Sequence, residues 1–187
     1  MVDCTKKAPR WLLMALVVGM ALCGVDGSWA NEPDAWKQLF TDGVKAREAA
    51  HYAEAEQLLQ RALRGAEQVS PDDPRVATAA NNLGLLYHDQ GRLQEAQSLY
   101  TRALAIWEQQ LGPEHEDVAA ALNNLAEIAH AEGDWGRAEP LYERVLAIER
   151  KVLGAAHPDV AISLNNLAEL YRKQGRETAA ESMYHLA

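Results

Sequence analysis

Paired asparagines recur along the chain as Asn81-Asn82, Asn123-Asn124 and Asn165-Asn166, at intervals of 42 residues. A carboxamide offers two donors and an acceptor, so a row of them can pair with the backbone of an extended ligand whatever its side chains. Other chemistry-bearing residues are wrongly spaced for catalysis. His88 and His130 repeat at the same long interval rather than one helical turn apart, and His115 and His157 sit in matching stretches, "LGPEHEDVA" and "LGAAHPDVA". His115-Glu116 does not make a zinc-protease pair, because Ala119 stands where the second histidine must share the metal. No glycine-rich phosphate loop and no nucleophile beside a base are present. The expectation is a binding protein with no catalytic residues, no metal and no cofactor.

The asparagines belong to a longer repeat. Gly91, Gly133 and Gly175 keep the same interval, as do Ala96, Ala138 and Ala180, and Tyr100, Tyr142 and Tyr184. A fixed period of this length signals stacked supersecondary units. Within one unit, Ala80, Leu83, Gly84 and Tyr87 fall on one helical face, Gly91 breaks the helix, and a second apolar stripe runs from Leu93 through Tyr100 and Trp107 to Leu111 before Gly112-Pro113. Each unit therefore reads as a helical hairpin. Small residues such as Gly84, Ala96 and Ala103 fit close helix approach, with Tyr87 and Tyr100 filling the space beside them. Trp36, Trp107 and Trp135 read as core or hairpin fillers.

The pattern predicts an all-α solenoid with a degenerate first repeat over 34–72 and further repeats over 73–115, 116–157 and 158–187, the last truncated in its second helix. The first repeat aligns at an offset of 41, with Gly43 matching Gly84, Ala50 matching Gly91 and Ala55 matching Ala96. Asp73-Pro74 and His157-Pro158 place a polar residue before a proline suited to the first helical position, and Glu116 keeps an acid near the corresponding positive helix end. Pro140 falls inside a second helix, where its opening turns are the tolerable place.

With a turn of about 100° per residue, the face opposite the core carries Thr78, Asn82, Leu85 and Asp89 in the second repeat. Its counterparts are Ala120, Asn124, Glu127 and Ala131, then Ile162, Asn166, Glu169 and Lys173. Asn81, Asn123, Asn165, His88, His130 and Arg172 lie at its margin, where they could bind a ligand or hold adjacent helices together.

The 42-residue spacing, the segment "LNNLA" and the two connectors resemble tetratricopeptide repeats of the kinesin light chain type, over about Asp34 to Ala187. The resemblance implies a right-handed superhelix whose first helices line a concave groove for an extended peptide or partner protein, with the Asn82, Asn124 and Asn166 series pairing to its backbone. It does not imply cargo transport.

The N-terminus reads as an address. Lys6, Lys7 and Arg10 precede an unbroken apolar run from Trp11 to Cys23, and Ser28-Trp29-Ala30 supplies small residues at a cleavage site. The run is short of the roughly 20 residues that span a bilayer. A secretory signal over residues 1–30, cut after Ala30, predicts an exported bacterial protein, periplasmic or secreted, with no stable membrane insertion; a lipidated Cys23 and a retained anchor are the alternatives. Cleavage removes Cys4 and Cys23, leaving no disulfide, and moves the net charge from -9 to -10, which argues against nucleic acid as partner. At the other end, Met183 and Leu186 leave an apolar face that a second copy could cover.

Overall fold

The first helix of each hairpin stops where the backbone takes a positive φ. The computed structural model describes residues 33–187, so the signal-like segment lies outside the described residues. These form eight α-helices and no strand: α1 (Pro33–Glu48), α2 (Tyr52–Val69), α3 (Pro74–Asp89), α4 (Leu93–Leu111), α5 (Glu116–Ala131), α6 (Trp135–Val152), α7 (Pro158–Lys173) and α8 (Glu177–Leu186). Gly91, Gly133 and Gly175 end α3, α5 and α7 at φ of +74°, +76° and +74°. In each case the next residue's N–H reaches back to a carbonyl in the last turn, as from Arg92 to Tyr87 at 2.8 Å, which closes the hairpin and satisfies an orphan acceptor.

The first hairpin makes the same closure from His51 to Ala46 at 2.8 Å, but with Ala50 at φ +58°. A β-carbon costs roughly 1–2 kcal/mol in that conformation, partly offset by the greater unfolded-state freedom of glycine. Ala50→Gly is therefore expected to stabilise the protein by about 1 kcal/mol, read as a higher thermal midpoint. A lower midpoint would contradict the left-handed assignment.

The connectors start the next helix with a side-chain cap. Asp73 accepts the Arg75 N–H at 2.8 Å, and in the later connectors the imidazole Nδ1 of His115 and of His157 accepts from Asp117 and Asp159, each at 3.2 Å. The connector histidines are thus occupied in helix starts.

Pairing within a hairpin depends on small residues. A β-carbon on Gly84 would lie 2.6 Å from Cε1 of Tyr100, so that ring packs directly on the α3 backbone. Tyr100 and Tyr142 are 1% and 3% exposed, whereas Tyr184, at the same place in the last hairpin, is 46% exposed. The difference lies in the next helix along the stack: α5 and α7 cover the first two tyrosines, and no described helix covers the third. Trp36 and Trp107 are buried, the former donating Nε1–H to the Ala62 carbonyl at 2.9 Å. Trp135 departs from the expected filler role, because it opens α6 and stays exposed.

Successive hairpins are stitched in two layers. Among the first helices, Arg47 of α1 bonds Asp89 of α3 at 2.9 Å, Asn124 of α5 donates to Asn81 of α3 at 3.0 Å, and Asn166 of α7 donates to Asn123 of α5 at 3.4 Å. Among the second helices, Arg102 pairs with Glu67 and Arg144 with Glu108, both at 2.5 Å. Such half-exposed pairs each contribute well under about 1 kcal/mol, so they set register while apolar burial supplies stability. On the outer side of α1, Gln38, Asp42 and Lys45 replace the Ala79, Leu83 and Leu86 of α3, and Gln38 bonds Asp42 at 2.8 Å. That side of the first hairpin is polar.

Candidate functional site

The asparagine pairs divide by one residue of register. Asn81 is buried, and its Oδ1 receives the bond from Asn124. Asn123 is half-buried; its Oδ1 receives Asn166, and its Nδ2 donates to Glu127 of its own helix at 2.7 Å. Asn165 has no following asparagine and is exposed. Asn82, Asn124 and Asn166 are all half-buried and share one face of α3, α5 and α7. Their Nδ2 groups are engaged internally, whereas their Oδ1 atoms accept no hydrogen bond from the described residues.

Asn82 differs from the other two. No asparagine precedes it in α1, where Phe40 and Thr41 stand in place of Asn81 and Asn82, so its Nδ2 turns to the Thr78 carbonyl of its own helix at 2.9 Å. The offset of 41 already contained this substitution, and it also places Arg47 in the row of His88, His130 and Arg172.

Charge on this face is largely compensated. Arg172 holds Glu169 at 2.6 and 2.9 Å, with Lys173 at 3.9 Å. The Arg172 hydrogen bonds come first among the influences keeping the Glu169 carboxyl below its usual range, with Lys173 and His130 adding to the field. His88 and His130 are half-buried on α3 and α5. Among the described residues no three histidine, cysteine, aspartate or glutamate side chains gather as metal ligands. Nor is any helix there long and apolar enough to cross a membrane.

One cavity on this side was not anticipated from sequence. It measures about 480 Å³ and is lined by Trp36, Lys37, Phe40, Thr41, Pro74, Arg75 and Thr78, where the starts of α1 and α3 meet. The Trp36 and Phe40 rings stack at 5.1 Å and 5°.

A family model described as tetratricopeptide repeat matches residues 46–109, 75–148 and 117–187. The chain belongs to the tetratricopeptide repeat family. Its fold is accordingly a right-handed superhelical solenoid of antiparallel hairpins, of a kind that generally mediates protein–protein interaction and is itself a non-catalytic scaffold. Similar solved structures include BtubC (BKLC) from P. vanneervenii, with a TM-score of 0.76 and 25% identity over 82% of this chain. Another, from Podosopora anserina, is described as a putative kinesin light chain with nearly identical TPR-like repeats, and gives 0.72 and 26% over 82%. The chain spans 62% of the first structure's length and 73% of the second's. No curated protein matches it.

Proposed function

We propose that this tetratricopeptide repeat chain is an exported, non-catalytic adaptor that holds an extended segment of a partner protein against the face formed by α3, α5 and α7. The observation that carries this reading is the row of Asn82, Asn124 and Asn166, whose free Oδ1 atoms suit the backbone N–H groups of a ligand without regard to its sequence. Export rests on the basic residues and apolar run before Ala30.

The test is capture from the exported fraction of cells, with intact-mass measurement of the bait. A bait beginning at Asn31 and bringing down defined proteins is expected. Asn82→Ala combined with Asn124→Ala should lose those proteins while keeping its far-ultraviolet circular dichroism. Undiminished capture by the double variant would sink the groove reading, and a cytosolic chain retaining Met1 would sink export. A second reading, a structural subunit that associates through its last hairpin, is favoured by the exposure of Tyr184 and Leu186. Light scattering on the same sample decides it: a strict monomer removes it.

A further inference from the structure

We propose that the adaptor face has a specific anchoring subsite at its α1–α3 end, where the cavity of Trp36, Phe40 and Thr78 takes one large apolar side chain of the bound segment. This rests on the adaptor reading above and adds a sequence requirement to a face whose carboxamides impose none.

Three features make the cavity a preformed anchor. Its walls are fixed, because Trp36 is pinned by its bond to Ala62 and stacked on Phe40, while the Arg75 guanidinium lies 5.9 Å over the indole. Arg75 is in turn held by both carboxylate oxygens of Asp73, at 3.0 and 2.9 Å. The recess is open to solvent, but wall side chains already held in this way lose little further conformational entropy when it is filled.

The cavity also adjoins Asn82, the member of the Asn82, Asn124 and Asn166 row that is not committed between repeats. Releasing Nδ2 of Asn124 or Asn166 breaks a bond to the neighbouring helix, whereas Asn82 gives up only a carbonyl one turn back on α3. From Thr78 to Asn82 the helix rises roughly 6 Å, close to two residues of an extended chain. A segment running along α3 can therefore place a side chain in the cavity and bring its backbone two residues on within reach of Asn82.

The occupant is set by these surroundings. The carboxamide calls for a polypeptide backbone rather than a free small molecule. Arg75 is compensated by Asp73, which leaves Lys37 as the net charge lining the cavity, so the apolar residue enters without a basic neighbour.

Selection of a random dodecapeptide display library on the chain, followed by affinity measurement on the enriched sequences, tests this. Enriched peptides are expected to share one large apolar residue with no lysine or arginine beside it. Thr78→Arg, a change at a half-exposed position that fills the cavity, should weaken them about tenfold or more, the loss expected for one buried apolar side chain. Replacing the peptide's apolar residue by serine should weaken binding to the unaltered chain similarly, yet change little on Thr78→Arg. Ala120→Arg, in the matching position of α5, is the control for the face as a whole. If Ala120→Arg weakens the peptides and Thr78→Arg does not, the anchoring subsite is wrong and the adaptor face stands. If neither does, or nothing is enriched, both fall.

Discussion

Alanine at Tyr100 is expected to cost about 3–5 kcal/mol, the usual loss for truncating a fully buried aromatic side chain. The ring lies on the backbone of Gly84 and is covered by α5, so its removal opens a void where three helices meet. That is a large part of the roughly 5–15 kcal/mol that holds a typical domain together. In a solenoid whose units contact only their neighbours, the damage should also loosen the second hairpin from the third. Urea unfolding followed by circular dichroism reads both effects, as a lower midpoint and a shallower transition. The same substitution at Tyr184 supplies the comparison, since it holds the equivalent position but is half exposed; its loss should be about 1–2 kcal/mol. Equal losses would mean that Tyr184 is covered in solution, which would revive association through the last hairpin. Tyr100→Phe separates ring from hydroxyl. Burial pushes the phenol above its ordinary range, and its oxygen finds no partner among the described residues, so the phenylalanine variant should be at least as stable as the parent.

The tyrosine and glycine series show why the hairpins were legible in sequence. Tyr100 packs on the α3 backbone at Gly84 and Gly91 takes a positive φ that closes the hairpin, so each spacing records a physical demand, of contact in one case and of backbone conformation in the other. The asparagine rows were legible only in part. Sequence placed the pairs on a helix, but one step of about 100° separates a buried acceptor, Asn81, from a half-buried neighbour, Asn82, and apolar periodicity locates that boundary poorly. Nor can residue type say which way a carboxamide turns, and that depends on whether the adjacent helix offers another. Sequence placed His115 and His157 at helix starts, but not that the ring nitrogen itself accepts the N–H, because histidine is not among the side chains that ordinarily cap helices. The cavity escaped because its aromatic walls come from the degenerate first repeat, where Phe40 breaks the asparagine pattern. The departure from the repeat, rather than the repeat, was the signal.

Replacing Pro140 with alanine should have the opposite sign and stabilise the chain by about 2 kcal/mol. Pro140 lies in the second turn of α6, which continues unbroken to Val152. It has no N–H for the Gly136 carbonyl, and a proline in a helix interior costs about 3 kcal/mol. Up to about 1 kcal/mol is returned because proline restricts the unfolded chain, which leaves the net figure. Both Gly136 and Pro140 are exposed, so water can reach the orphan carbonyl and the gain should not exceed this. Gln57, Ser98 and Ser182 hold the same place in the other hairpins, so nothing about the position itself demands proline. Thermal unfolding should show a rise of roughly 4–8 °C at this chain length. No rise would mean that the opening turns of α6 contribute little to the folded state. In that case the outer layer around Trp135 is a point of give in the solenoid, and bond loss there is already tolerated.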